Sequence, residues 1–222
     1  MLPFIPVLVS AALASWGPFP AGSEAFDTAR ENESYSACST ARLENGVKMP
    51  PAPDLYMIWH PEAAWGTPRM IGTLLRAAEE IAWLVPHSDP LVIGDISKKG
   101  GGPLEGHSSH RGGADADIGI YYGDAQQYEH GFMFMTTRNF DPKTNWLLVR
   151  SLLESEEVER ILVDQKLVDI LRSYVIREGE LSAKEAYRVF PTKVTTDVWA
   201  RTGVVHHHPG HMHHFHVRVF CS

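Results

Sequence analysis

The sequence predicts an α+β domain in which a small, mostly antiparallel core sheet of about four strands is flanked by helices and long loops. Apolar residues recur at helical spacing in residues 67–84, whereas residues 214–220, HFHVRVF, alternate polar and apolar side chains as a half-buried strand does. A short glycine-rich loop joins the first predicted strand to the second. Because parallel neighbours need a long crossover, this connection favours antiparallel pairing.

Helices and strands are interleaved along the chain. Pro68 stands near the start of the first helix and Gly179 ends the third, which are the usual positions for these residue types. The predicted helices cover residues 67–84, 143–153, 165–179 and 181–190. The predicted strands cover residues 91–97, 114–122, 158–164 and 214–220.

Residues 1–25 are predicted to be a secretory signal peptide. An apolar run from Phe4 to Trp16 is followed by Ser23 and Ala25, small residues that resemble a signal-peptidase site. The run is shorter than the roughly 20 residues that a membrane span needs, and no basic residue precedes it. The alternative is a buried N-terminal helix. A signal peptide implies export across the inner membrane to the periplasm, with no membrane span in the mature chain.

The rest of the chain is predicted to form an extended polar arm over residues 26–50 and one domain over residues 51–222. The two cysteines are Cys38 and Cys221. An even number of cysteines in an oxidising compartment predicts a disulfide between them, and two unrelated thiols are the alternative. The net charge of −7, without a basic block, argues against nucleic acid as a partner.

Two histidines and one carboxylate predict a metal site. The strand period of two places His214 and His216 on one face, where neighbouring imidazoles suit zinc, although a pair of surface histidines is the alternative. Upstream, two glycines between His110 and Asp117 permit a tight turn that lets these side chains converge. Asp117 would otherwise be a costly buried carboxylate in a central strand. A set of His110, Asp117 and His216 leaves a fourth position open, as in catalytic zinc sites.

The segments GHSSHRGGADADI (106–118) and GHMHHFHVR (210–218) resemble motifs of the penicillin-insensitive murein endopeptidases. These zinc peptidases share a core with lysostaphin, the D-alanyl-D-alanine carboxypeptidases and the hedgehog signalling domain. The resemblance covers roughly residues 50–222. It implies a four-stranded antiparallel core sheet, one zinc ion per chain, and cleavage of D-alanyl to meso-diaminopimelyl crosslinks. Peptidoglycan crosslink peptides are therefore the expected partner.

The resemblance also implies a role for each matching residue. The zinc ligands that it implies are His110, Asp117 and His216. His214 would be the catalytic base near the metal-bound water, and His211 would stabilise the tetrahedral intermediate. His107 would be a further active-site histidine, next to the metal or behind its ligands.

Strand alternation adds two candidates at the site. Asp115 shares a face with Asp117 and can orient a ligand histidine, with a solvated surface carboxylate as an equal alternative. Arg218 shares the face of His214. Together with Arg111, Arg218 is a candidate to hold the free carboxylate of a substrate.

Two rival functions stay open. A D,D-carboxypeptidase would use the same zinc site on uncrosslinked stems and needs such an arginine. A non-catalytic, metal-dependent cell-wall binding module would lack a base, whereas His214 is present. Residues 206–208, HHH, lie outside the motif and are predicted to form an exposed loop, and His60 is predicted to be an ordinary histidine. The same ligands can also bind manganese, cobalt or iron.

Overall fold

The computed structural model describes residues 42–123, 132, 136, 138–192 and 203–221. The predicted signal peptide, most of the predicted arm and Cys38 lie outside these residues. The export of the chain and the bridge from Cys38 to Cys221 therefore stay predictions. Cys221 itself is half-buried against the hydrophobic core.

Four helices lie in the described ranges, and a side chain caps the first turn of each. They are α1 (Pro68–Leu84), α2 (Pro142–Glu154), α3 (Gln165–Arg177) and α4 (Ala183–Val189). The caps are Thr67, Asp141, Asp164 and Ser182, which accept hydrogen bonds from the first backbone N–H groups of their helices. The predicted bounds agree with these helices to within two residues, because caps and helical periodicity are both local signals.

Eight strands form two sheets in the described part of the chain. They are β1 (Val47–Lys48), β2 (Tyr56–Ile58), β3 (Trp65–Gly66), β4 (Leu91–Ile93), β5 (Asp115–Gly119), β6 (Val158–Val163), β7 (Val205–His207) and β8 (His214–Val219). Strands β1 and β3 pair with each other, and the other six form one sheet in the order β2-β4-β5-β8-β6-β7. The molecule is therefore α+β, as predicted.

The core sheet is larger than the predicted four strands. Its four central strands, β4, β5, β8 and β6, are the predicted ones and pair antiparallel. Strands β2 and β7 extend it at the two edges, each parallel to its neighbour, so the sheet is mixed. A three-residue strand is too short to display a period of two, which is why neither edge strand was predicted. The exposed loop predicted for residues 206–208 was wrong in part, since His206 lies in β7 and is buried.

The two faces of β8 have opposite chemistry. Phe215, Val217 and Val219 are fully buried in the hydrophobic core. The alternate residues point to the other face of the sheet, where Asp117 of β5 lies opposite His216 and Asp115 lies opposite Arg218. Directly opposite residues of an antiparallel pair have Cβ atoms about 5 Å apart. The central strand pair thus presents a row of charged and imidazole side chains on the side away from the core.

Candidate metal centre

Three predicted ligands converge on one point. The Oδ1 atom of Asp117 lies 3.0 Å from Nδ1 of His216 and 3.4 Å from Nε2 of His110, and these two nitrogens are 3.2 Å apart. With nitrogen and oxygen ligands about 2.0–2.1 Å from a zinc ion, the edge of a tetrahedron is about 3.3 Å. The three donor atoms therefore have the spacing of one face of a tetrahedral site. All three residues are at most 7% exposed.

The remaining ring nitrogen of each ligand histidine has a partner. Nδ1 of His110 lies 3.1 Å from the carbonyl oxygen of Ile96, to which it donates. Nε2 of His216 lies 2.9 Å from Oδ1 of Asp115. Such outer contacts fix the tautomer and the ring orientation of a ligand histidine. In both rings these contacts engage one nitrogen, so the other nitrogen, which faces Asp117, can bind a cation.

The electrostatics of the cluster favour a cation at its centre. Burial by itself would raise the pKa of Asp117, but His110 and His216 hold it well below its usual range. Burial likewise opposes the charge on His216, yet hydrogen bonds to Asp115 and Asp117 raise the pKa of His216 to about 9. In the metal-free chain a proton on His216 thus supplies the positive charge that the carboxylates require. A metal ion would displace that proton.

Asp115 and Arg218 form a buried pair behind His216. The Arg218 guanidinium donates from Nε and from a terminal nitrogen to the two oxygens of Asp115, at 2.7 and 2.9 Å. Arg218 is 2% exposed and Asp115 is fully buried. Asp115 also contacts His216, a predicted ligand, and is not the solvated surface carboxylate that was the alternative. Because Arg218 is engaged by Asp115, it is poorly placed to hold the free carboxylate of a substrate.

His214 lies at the edge of the cluster. Its Nε2 is 3.5 Å from Oδ1 of Asp117, its ring stacks on Phe132 with centroids 5.2 Å apart, and its Nδ1 is 2.7 Å from Nδ1 of His213. Burial lowers the pKa of His214 to about 3, against the opposing effect of Asp117. The imidazole is therefore neutral and presents Nε2 toward the predicted ligands.

The ring of His211 packs next to the ring of His214, with centroids 4.7 Å apart. Its Nδ1 is 2.9 Å from the carbonyl oxygen of Pro209, to which it donates, and His208 makes the same contact at the same distance. Burial lowers the pKa of His211 to about 4. This tautomer leaves a lone pair on Nε2, so His211 is better suited to accept a hydrogen bond than to donate one to an oxyanion.

His107 lies beside the three predicted ligands. Sequence reasoning did not identify the residues that contact it. Ligand atoms of His107, His110 and Asp117 all lie within 4.8 Å of one another, so this group could also hold a metal ion. Nδ1 of His107 is 3.5 Å from Oδ2 of Asp117, and its Nε2 is 3.0 Å from Asp95. Asp95 in turn contacts His60. The only sequence signal was an acidic residue within the apolar strand predicted over residues 91–97, in LVIGD.

A buried cluster of two or more histidines with a carboxylate, next to a neutral histidine, is typical of metal-dependent hydrolases. Comparison with known families identifies a hydrolase. Residues 37–175, more than half of the chain, match the family described as penicillin-insensitive murein endopeptidase. The chain belongs to that family, as its motifs predicted. The matched range includes His107, His110 and Asp117 and ends before the C-terminal histidines.

A comparison with curated proteins gave no match. Among the described residues, none of the helices has the length and apolar character needed to cross a membrane.

Proposed function

We propose that this protein is a zinc-dependent murein endopeptidase that hydrolyses D-alanyl to meso-diaminopimelyl crosslinks of peptidoglycan in the periplasm. Family membership supports a murein endopeptidase with peptidoglycan as its substrate. The observation that carries the zinc assignment is the triangle of donor atoms from His110, Asp117 and His216, with sides of 3.0 to 3.4 Å. Two neutral imidazoles and one carboxylate are one of the usual ligand sets of a catalytic zinc ion.

These three residues would hold the metal, and His107 lies within reach of the same position. A zinc ion bound there supplies Lewis acidity, which acidifies a water molecule and polarises the carbonyl of the scissile bond. His214 accepts the proton of the attacking water at Nε2, since burial keeps its imidazole neutral. It then donates that proton to the leaving amine. No serine or cysteine nucleophile takes part, which is consistent with insensitivity to penicillin.

His211 has a revised role in this proposal. Its Nδ1–H is donated to Pro209, so its Nε2 can accept a hydrogen bond from the attacking water or from an N–H group of the stem peptide. It thereby orients a reactant beside His214. A role for His211 in stabilising the oxyanion would require a proton on Nε2, which the tautomer with its proton on Nδ1 lacks.

Digestion of purified, crosslinked muropeptide dimers tests the proposal, with products identified by mass spectrometry. We expect conversion of dimers to monomers, loss of activity with a chelator and recovery on addition of zinc. His216→Ala should abolish both zinc binding and cleavage. His87→Ala is the matched control, because His87 is exposed and makes no contact with the cluster in the described residues.

The products separate the proposed function from its rivals. Release of D-alanine from uncrosslinked stems, with dimers left intact, would indicate a D,D-carboxypeptidase. Zinc binding without any bond cleavage would indicate a cell-wall binding module. Cleavage that persists after removal of all metal would contradict the proposal altogether.

A further inference from the structure

The side chain of Asp95 joins two histidines at the open side of the centre. Its Oδ2 lies 3.0 Å from Nε2 of His107, and its Oδ1 lies 2.8 Å from Nδ1 of His60. The side chains of Asp95 and His107 are 18% and 23% exposed, whereas that of Asp115 is fully buried. This cluster of Asp95, His60 and His107 belongs to neither sequence motif in full, since only His107 lies in one.

Backbone hydrogen bonds hold Asp95 next to Asp117, the carboxylate of the predicted metal site. The N–H of Asp117 donates to the carbonyl of Asp95 at 2.9 Å, and the N–H of Gly94 donates to the carbonyl of Asp117 at 2.8 Å. These two bonds continue the β4–β5 pairing beyond the end of β4. Asp95 is therefore fixed to Asp117, the strand residue that His107 approaches. Side chains fixed to strands are held more accurately than side chains on a free loop.

The arrangement repeats the one around His216. In each case a carboxylate contacts the outer nitrogen of a histidine, and the inner nitrogen of that histidine faces Asp117. His216, which contacts Asp115, approaches Oδ1 of Asp117. His107, which contacts Asp95, approaches Oδ2. A carboxylate that accepts a hydrogen bond from the outer nitrogen fixes the tautomer that can bind a metal.

His60 gives Asp95 its orientation. Its ring stacks on Trp59 with centroids 4.6 Å apart and an angle of 19° between the rings. The N–H of Trp59 donates to the carbonyl of Ile93 at 2.8 Å, which ties this pair to the edge of the sheet. With one oxygen of Asp95 held by His60, the other is directed at His107.

We propose that Asp95 is a positioning residue of the metal centre: it holds His107 with Nδ1 toward Asp117, and His60 holds Asp95. This inference rests on the proposed function, because it assumes that a metal ion binds at the cluster. Asp95 acts through His107 and does not contact the metal. Removing it should weaken metal binding by about 10–100-fold, the usual effect of losing such an outer partner.

A double-mutant cycle on metal affinity tests the proposal. Zinc affinity is measured by competition with a chromophoric chelator for the unaltered chain, Asp95→Ala, His107→Ala and the double variant. We expect Asp95→Ala to weaken zinc binding about 10–100-fold in the unaltered background and to have no further effect once His107 is alanine. Equal weakening in both backgrounds, or a change of less than about twofold in the first, would overturn the proposal.

A spectroscopic readout distinguishes positioning from a loss of structure. The visible absorption of the cobalt-loaded protein reports the ligand geometry, and Asp95→Ala should change it as His107→Ala does. Asp95→Asn, which retains one acceptor oxygen, should weaken zinc binding less and is the variant to use if Asp95→Ala does not fold. Asp169→Ala, a half-exposed carboxylate paired with Arg172, is the matched control and should leave the affinity and the spectrum unchanged.

The unaltered chain separates this inference from the function on which it rests. If it binds zinc tightly and Asp95→Ala binds equally well, only the role of Asp95 is wrong. If the unaltered chain fails to bind zinc, both proposals fail.

Discussion

At the scale of single residues, each ring nitrogen of His216 contacts a different carboxylate. Nδ1 faces Asp117 and Nε2 faces Asp115, which is paired with Arg218. The chain from Arg218 to Asp117 therefore alternates positive and negative groups in a buried region. Removing any one of them leaves a neighbouring charge without compensation, and a buried, uncompensated charge is costly.

Arg218→Met should lower the free energy of unfolding of the metal-free protein by about 3–5 kcal/mol, because Asp115 would lose its guanidinium partner while buried. Urea unfolding followed by circular dichroism measures the change. Arg177→Met is the matched control, since Arg177 and Glu178 form an exposed pair that should contribute at most about 1 kcal/mol. Equal and small effects of the two substitutions would show that the buried pair contributes little.

His214→Gln should separate binding from chemistry. Glutamine keeps a polar side chain of similar reach but cannot accept and return a proton, so we expect kcat to fall by about 10²–10⁴-fold. Zinc affinity should change little, because the ligand triangle is intact. Rates on muropeptide dimers and zinc titration are compared for the variant and the unaltered protein. A loss of zinc binding that equals the loss of activity would make His214 a ligand instead of a base.

At the scale of elements, β8 connects the core to the candidate metal centre. Phe215 lies fully buried between His214 and His216 in sequence, and it points to the opposite side of the strand. Its packing therefore supports the strand without contacting the predicted ligands. Pairing of β8 with β5 on one side and β6 on the other holds the register that sets His216 opposite Asp117.

Phe215→Ala should cost about 3–5 kcal/mol of stability, the usual effect of removing a large buried aromatic ring. The protein that remains folded should still bind zinc, since its ligands lie on the other face. Thermal and urea unfolding measure the first effect and zinc titration the second. Trp83→Ala is the control, because Trp83 is 78% exposed and its removal should change stability by about 0.5 kcal/mol or less.

At the scale of the whole molecule, the candidate metal centre joins distant parts of the chain. His60 follows β2, Asp95 follows β4, Asp117 lies in β5, and His216 lies in β8. A metal ion that binds this arrangement cannot bind it in the unfolded chain, where these segments are apart. Metal binding and folding are therefore linked.

Chelation should lower the midpoint of thermal unfolding. At a free zinc concentration of 100 times Kd, binding adds about 2.7 kcal/mol, which corresponds to roughly 5–10 °C for a domain of this size. Differential scanning calorimetry with zinc and with chelator measures the shift. His216→Ala should show a much smaller shift, and an equal shift in that variant would mean that zinc stabilises the protein elsewhere.

Local patterns in the sequence determined the four helices, the four central strands and the predicted ligands. Caps and helical periodicity are carried by neighbouring residues, and the alternation in HFHVRVF separates Phe215 from His214 and His216 without knowledge of the fold. The six residues between His110 and Asp117, with two glycines, were likewise sufficient to predict that this pair converges.

Only the tertiary structure decided which groups stand behind those ligands. Strands β2 and β7 have three residues each, too few for a periodic signal, and form because the neighbouring strand offers unpaired backbone groups. Asp95 and His107 meet from either side of a glycine-rich loop, and His60, which follows β2, contacts Asp95. Arg218 is bound to Asp115 because β5 and β8 pair in one register. Such contacts depend on distances in space between residues far apart in the chain, and no local pattern records those distances.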